Sequence, residues 1–261
     1  MPNADQLLRA GDLDGARTAL IEIVRKEPAN EQARMFLFQL LALTGDWQKA
    51  RKHLDTLSQL SGTAQMLASA YGQAIAAEAE REAVFTGTAR ARQHVASDWA
   101  EGIVEAIELL GKGDFDAAAE ARDTAFGNAP DTSGTIDGER FEWLTDADSR
   151  FGPCFEAIIG GRYGLQPFDQ VERIVSEGPT DLRDLVWYPV QIAFKTGQSV
   201  AAFLPARYPG TEAGGSADEV LARATSWLET PLGDAGRGQH LWTFSSGEDR
   251  ELLSLRTVTF D

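Results

Sequence analysis

Two stretches of the chain bring carboxylates and an arginine within a few residues of one another: Asp146-Ala147-Asp148-Ser149-Arg150 and Thr180-Asp181-Leu182-Arg183-Asp184-Leu185-Val186-Trp187. Such a grouping can tune one acid for proton transfer, because a like charge nearby raises a carboxyl pKa and a guanidinium lowers it. The same Asp-Arg pairs also serve as structural clamps. Neither stretch brings a nucleophile or a substrate pocket with it, so the clamp ranks above the catalyst. An enzyme or small-ligand sensor centred on Asp148, Arg150, Arg183 and Asp184 stays as a second reading; it requires those groups to converge beside an open, solvent-filled pocket.

The other chemistry-bearing residues are sparse. There is no phosphate-cradling loop ending in Lys-Ser or Lys-Thr, no Gly-x-Ser-x-Gly elbow and no His-Glu-x-x-His. Gly233, Gly236 and Gly238 are misspaced for a dinucleotide fingerprint and read as a flexible loop. His53, His94 and His240 are far apart in sequence, so a metal site would need folding to gather them with carboxylates. The single cysteine, Cys154, lies in the apolar run Phe151 to Ile159, which favours an inert buried thiol and rules out an intrachain disulfide. No catalytic residue, cofactor or metal is expected.

A net charge of -16 opposes a phosphate backbone, so nucleic acid is a poor partner. The longest basic clusters, Arg25-Lys26 and Arg51-Lys52, fall late in expected helices, where cations complement the dipole. The N-terminus lacks a basic-then-apolar signal pattern and no apolar run approaches the ~20 residues that span a bilayer, so no membrane insertion and a cytoplasmic location are expected.

The elements that must position these residues come in two grammars. Gly11-Asp12-Leu13, Gly45-Asp46-Trp47 and Gly113-Asp114-Phe115 recur at one 34-residue step and then a double step, with Ala16, Ala50 and Ala118 at matching offsets. This is the tetratricopeptide period, in which Gly makes the turn, Asp caps the second helix and Ala permits close packing. Trp99, Ile103, Ile107 and Leu110 line one helical face, and Thr63 to Phe85 reads as one long helix where a Gly-Asp turn is missing. After Pro130 short apolar runs alternate with turns. Gly160-Gly161 joins Cys154–Ile159 to Arg162–Leu165, Thr196-Gly197 joins Val186–Phe194 to Ser199–Leu204, and Ser245–Asp249 joins the last two runs. Phe168–Val175 and Asp218–Trp227 read as short helices. The fold class is therefore a tetratricopeptide-like antiparallel helical array, residues 1–130, followed by an α+β domain with an antiparallel sheet, residues 131–261. In that second part Lys195 is the one lysine against ten arginines, and four of the six tryptophans lie there, a composition suited to fixed ion pairs in a polar-threaded core or at an interface.

Five motifs in order carry a resemblance: Asp148-Ser149-Arg150-Phe151-Gly152-Pro153; Arg162-Tyr163 with Pro167-Phe168; Pro179 to Leu185 with Trp187; Pro205 with Tyr208-Pro209-Gly210; and Ala222-Arg223-Ala224-Thr225 with Trp227. Together they resemble the ImpE/SciE/TagJ family of type VI secretion accessory proteins, over essentially the whole chain. Two positions depart from that pattern: Ala222 stands where a glycine is expected and Gly164 where an aromatic residue is expected. The resemblance implies a cytoplasmic, non-enzymatic adaptor that binds the N-terminal helix of the small contractile-sheath subunit and, as a further contact, the AAA+ ATPase that recycles the sheath. It assigns the motif residues Asp148, Arg150, Pro153, Tyr163, Asp181, Arg183, Asp184, Trp187, Tyr208, Arg223 and Trp227 a structural role.

In a tetratricopeptide array the first helix of each unit lines the concave face. The register places Met35, Gln39, Ala42 and Leu43 there, then Met66, Ser69, Gln73 and Ala76, then Ile103, Ile107 and Leu110. None is cationic, so this face suits the apolar stripe of an amphipathic helix better than an acidic tail. A generic helix-binding scaffold would use the same groove. Packing of these side chains against neighbouring helices or the second domain is the competing expectation.

Overall fold

Each Gly-Asp pair makes the turn its chemistry favours. In the computed structural model, which describes residues 3–261, Gly11, Gly45 and Gly113 adopt φ of +80°, +71° and +80°. Residues 1 and 2 of the first expected domain lie outside the described residues. The Asp12 and Asp46 carboxylates accept from the backbone N–H of Gly15 (2.8 Å) and Lys49 (3.4 Å), while Asp114 holds the same position without that bond. The resulting helices are α1 (Ala4–Arg9), α2 (Leu13–Lys26), α3 (Glu31–Leu43), α4 (Trp47–Leu60), α5 (Gly62–Phe85), α6 (Glu101–Lys112) and α7 (Phe115–Asn128). Ala16, Ala50 and Ala118 are fully buried at the helix crossings. Arg25 and Lys26 close α2, but Arg51 and Lys52 sit in the second turn of α4 rather than late in it.

Between α5 and α6 the chain leaves the helical pattern and runs as an extended strap. Leu165 donates to the Arg92 carbonyl (2.8 Å) and His94 donates back to the Leu165 carbonyl (3.2 Å), so the strap covers a sheet edge that would otherwise present unpaired backbone groups. His94 therefore lies on this strap and not on a helix.

The strands are β1 (Gly134–Ile136), β2 (Glu139–Phe141), β3 (Leu144–Asp146), β4 (Cys154–Ile159), β5 (Arg162–Pro167), β6 (Val171–Val175), β7 (Trp187–Phe194), β8 (Ser199–Pro205), β9 (Thr225–Thr230), β10 (Gly233–Gly238), β11 (Leu241–Phe244), β12 (Asp249–Glu251) and β13 (Thr257–Phe260). An antiparallel sheet orders eight of them β2-β1-β13-β6-β7-β8-β4-β5; β12-β11-β3 and the ribbon β10-β9 complete the set. The three expected hairpins are present as β4–β5, β7–β8 and β11–β12.

Three sequence expectations fail here. Phe168–Val175 is a single 3-10 turn, Phe168–Gln170, followed by β6, because a bulge between Val171 and Arg173 spaces the buried Val171 and Ile174 three apart, as a helix would. Asp218–Trp227 holds only the four-residue helix Ala217–Val220 before β9, a strand too exposed to show a burial period. The glycines of Gly233–Gly238 are strand residues, not a loop. A Cβ on Gly236 would meet the Tyr208 ring at 2.2 Å, so glycine lets the ribbon lie on that ring.

Two hydrophobic cores result. One lies between the large sheet and the β12-β11-β3 sheet and includes Phe155, Phe168, Tyr188 and Trp242. The other is shared by helices and sheet, joining Leu37, Phe38, Leu43, Tyr71 and Ile107 to Tyr163, Trp187 and Tyr208.

Candidate functional site

The concave face of the array is occupied by the chain itself. The 3-10 turn Leu182–Leu185 enters it from the sheet side, and the Arg183 guanidinium lies 4.8 Å from the Tyr71 ring centre with Nη1 3.8 Å from the Met35 sulfur. Asp181 pairs with Arg183, and the Asp184 carboxylate accepts from the backbone N–H groups of Thr180 (2.7 Å) and Asp181 (2.9 Å), which ties the turn shut. Behind it Trp187 packs on Trp47 (5.8 Å between ring centres) and Tyr71 (5.7 Å), and Phe203 packs on Tyr71 at 5.2 Å.

This corrects the expected open trough. Gln39, Leu43, Ile103 and Ile107 are buried, Met35 is half-buried under Arg183 and Leu110 is half-buried; only Met66, Ser69, Gln73 and Ala76 of that set remain exposed, Met66 at 83%. Re-exposing side chains the size of Trp187, Tyr71 and Phe203 would cost on the order of 2–3 kcal/mol each. A micromolar complex is worth only about 8 kcal/mol in total. Displacing the turn would therefore cost about as much as such a complex gains, and the filled trough is an internal joint.

A buried ion network crosses the same joint. Arg81 of α5 donates through Nε and Nη2 to the two Glu156 oxygens of β4 (2.7 and 2.6 Å), and Nη2 also reaches the Arg207 carbonyl at 2.7 Å. Tyr163 donates to Glu156 at 2.8 Å. His240 stands between two carboxylates, with Nε2 2.9 Å from Glu156 and Nδ1 2.8 Å from Asp146. A doubly protonated ring donates to both carboxylates, and that imidazolium form is the one two flanking anions favour. Burial alone would lower the His240 pKa, yet Asp146 and Glu156 outweigh it and push it up to about 9. For Glu156 burial raises the pKa, and Arg81 and His240 bring it down to about 2. Burial holds Asp146 above the ordinary carboxylate range, with His240 opposing.

Neighbouring groups extend the network. Glu78 lies 3.6 Å from Arg81 and accepts from the Trp187 indole at 2.7 Å. Arg150 clamps Asp148, which also accepts from the Gly236 N–H at 2.6 Å. The Arg207 guanidinium donates to the carbonyls of Leu43 (2.8 Å) and Val220 (2.7 Å), and burial lowers its pKa to about 10. Arg81, Arg150 and His240 thus pair with Glu78, Asp146, Asp148 and Glu156, all buried or nearly so, while Arg207 is held by carbonyls alone.

The four groups of the enzyme reading do not converge. Asp148 and Arg150 close on each other beside β10, while Arg183 and Asp184 sit on the array, and no hydrogen bond joins the two pairs among the described residues. A cleft of about 380 Å³ borders Asp148, between Trp143 and Phe126. Both Asp148 oxygens are already engaged by Arg150 and Gly236. Cys154 is fully buried, and burial raises its thiol pKa.

Glu78, Arg81, Asp146, Glu156, Arg207 and His240 were not assigned as site residues from sequence. Two signals for them exist there: Glu78 and Arg81 interrupt the alanine-rich run of α5 three residues apart, and Glu156 interrupts the apolar strand Cys-Phe-Glu-Ala-Ile-Ile.

The remaining motif residues tie the same joint. Pro153 accepts from the Phe168 N–H at 3.1 Å, and the Tyr208 hydroxyl donates to Asp146 at 3.1 Å while its ring lies 3.9 Å from that of His240. Arg223 reaches the α1 carbonyls of Arg9 (3.3 Å) and Leu8 (3.5 Å). Trp227 packs 5.8 Å from Tyr208 and stays partly exposed.

The family model described as ImpE protein matches residues 138–259, which hold every one of these motif residues, and a tetratricopeptide repeat model matches residues 7–74. The type VI secretion system accessory component TagJ of Pseudomonas aeruginosa is 39% identical over 261 residues, covering 99% of this chain and 91% of that protein. The chain belongs to the ImpE family. A crystal structure of a Vibrio parahaemolyticus protein has the same fold, with a TM-score of 0.88 over 99% of this chain and 97% of that one, at 20% identity.

The two departures of this ImpE-family chain differ: at Ala222 the backbone would favour the expected glycine, and at Gly164 the packing requires the glycine present. Ala222 adopts φ of +52°, the left-handed conformation for which glycine is the unstrained choice. At Gly164 a Cβ would meet Arg92 Cγ at 2.5 Å and the Arg92 carbonyl oxygen at 2.7 Å, so the strap passes where an aromatic side chain would start. Gly164→Ala is expected to cost about 1–3 kcal/mol of stability by overpacking. Urea denaturation of the two proteins measures it, and an unchanged midpoint would contradict the close approach.

Proposed function

We propose that this protein is a non-enzymatic adaptor of bacterial type VI secretion that captures the N-terminal helix of the small contractile-sheath subunit on the exposed side of α5. The observation that carries the adaptor role is the 39% identity, over nearly the whole of both chains, to an accessory component of that system. Supporting the site is a groove of about 390 Å³ between α5 and the sheet, lined by Ala70, Gln73, Ile158, Pro189, Ala201 and Phe203 among others, with no charged side chain. Met66 stands exposed on the same helix one turn before Ala70. Apolar walls with a flexible methionine at the end suit the apolar stripe of an amphipathic helix. Met66 and Gln73 therefore keep the partner-binding role, while Met35, Gln39, Leu43, Ile103, Ile107 and Leu110 act by supporting the joint.

The sheath-recycling AAA+ ATPase is the second partner of this reading, reached by presenting the captured subunit. Both partners place the protein in the cytoplasm, and no helix among the described residues is long and apolar enough to cross a membrane.

A pull-down with the small sheath subunit, with and without its first helix, tests the partner. Capture should be lost on deletion; capture that survives would refute the helix as the recognised element. Met66→Glu and Ala201→Glu, both at exposed positions, should weaken binding about tenfold, since a charge facing an apolar stripe costs roughly 1–3 kcal/mol. Parent-like binding by both variants would remove the groove from the proposal.

A further inference from the structure

A second groove, of about 400 Å³, runs between α6 and α7 and is lined only by those helices and by Asp98 and Trp99 just before α6. Its floor is Trp99, Gly102, Leu109, Ala117, Ala121 and Ala125, and its rim carries Asp98, Glu105 and Glu120. Gly102, Glu105 and Leu109 recur at helical spacing along α6, and Ala117, Ala121 and Thr124 do so along α7, so the groove follows the helix axes. Gly102 lets α7 lie close on α6, since a Cβ there would meet Ala125 Cβ at 2.9 Å, and the small side chains of Ala117 and Ala121 leave room for another helix at the 8–10 Å separation of packed helices. In a stacked array the next hairpin would cover this face, but after α7 the chain turns into the sheet.

The rim says what kind of segment fits. Nearby Glu101 and Glu108 are neutralised by Arg90, Glu108 also by Lys112, and Asp123 by Arg122. Asp98, Glu105 and Glu120 have no ion-pair partner among the described residues, so uncompensated negative charge flanks an apolar floor. A second copy of the chain is a poor match. It brings its own charge of -16, and its cation-bearing helices α2 and α4 already commit Arg17 to Asp14, Arg25 to Glu22, Lys49 to Asp46 and Arg51 to Asp55.

We propose that the α6–α7 groove docks a basic amphipathic α-helix of a protein partner, with the apolar stripe on Leu109, Ala117 and Ala121 and with lysine or arginine side chains meeting Glu105 and Glu120. The surface is separate from the uncharged α5 groove and does not depend on it.

The probe is a fluorescein-labelled 18-residue helical peptide with leucine and alanine on one face flanked by lysines, titrated with the full-length protein by anisotropy. Glu105→Lys/Glu120→Lys should weaken binding at least tenfold, as should Ala121→Trp, which fills the floor. The charge-matched double variant Glu229→Lys/Glu248→Lys, at exposed positions outside the groove, should stay within twofold of the parent. The peptide with glutamates in place of lysines should not bind. Equal weakening by the Glu229/Glu248 variant would reduce the effect to general attraction by an acidic protein and overturn the proposal. Parent-like binding by both groove variants, failure of the lysine peptide to bind, or self-association of the parent abolished by Glu105→Lys/Glu120→Lys would also overturn it. Circular dichroism of each variant checks the fold, and the Glu105/Glu120 variant carries the test if Ala121→Trp unfolds.

Discussion

Arg81→Met is expected to destabilise the fold by about 3–5 kcal/mol, the usual consequence of leaving a buried charge without its partner. Methionine keeps most of the arginine's length and apolar volume, so the loss reports the missing charge more than a cavity. Glu156 would keep His240 and Tyr163 but lose the two-point guanidinium contact, and Glu78 would lose its nearest cation. Against the 5–15 kcal/mol that holds a typical domain, this is a large fraction. The urea midpoint measures it. The cycle with Glu156→Gln separates pair from site: the double variant should be more stable than the sum of the two losses predicts. A loss below about 1 kcal/mol, in the range of an exposed pair, would show that the network does not hold the helical and sheet halves together. The Arg140–Asp261 pair, open to water, is the contrast, and its removal should leave the midpoint unmoved.

Stability should also fall as pH rises through 9. His240 is raised from an unfolded value near 6.5 to about 9, so between those values the folded state binds a proton that the unfolded state releases. Its contribution is fully present below pH 6.5 and is lost as pH rises through about 9. At about 1.4 kcal/mol per pKa unit this comes to about 3 kcal/mol. Glu156 acts in the opposite direction at the acid end: with its pKa lowered from 4.5 to about 2, its contribution is present above 4.5 and disappears as pH falls through 2. Urea midpoints at pH 6, 7.5 and 9.5 should decline for the parent and stay nearly level for His240→Gln, apart from what both share through other groups. Equal slopes in the two proteins would mean that His240 is neutral in the fold.

Both expectations describe one device. Burying these ion pairs contributes little net stability compared with apolar packing of the same volume, but breaking one of them leaves its partner buried and unpaired. Arg81 lies on α5, Glu156 on β4, Asp146 on β3 and His240 just before β11, so a displaced half would strand several charges at once. The network thereby specifies how the array and the sheet meet.

What the sequence determined by itself was everything governed within a few residues: the left-handed glycines and capping aspartates of the α-hairpins, the long uninterrupted α5, and the hairpins turned at Gly160-Gly161, Gly197 and Gly247. The ordered motifs from Asp148 to Trp227 also located the family. Local rules misled where an irregularity imitated another period, as the bulge in β6 did, or where exposure erased the period, as in β9. Only the tertiary structure decided what covers each apolar face. Met35 meets Arg183 across 148 residues, Arg81 meets Glu156 across 75 and His240 meets Asp146 across 94. A helical period tells that a face is apolar, but the same leucines and alanines fit a foreign helix or the chain's own sheet. That choice was made by Trp187 and the turn of Leu182–Leu185, which filled the trough from the far side of the fold.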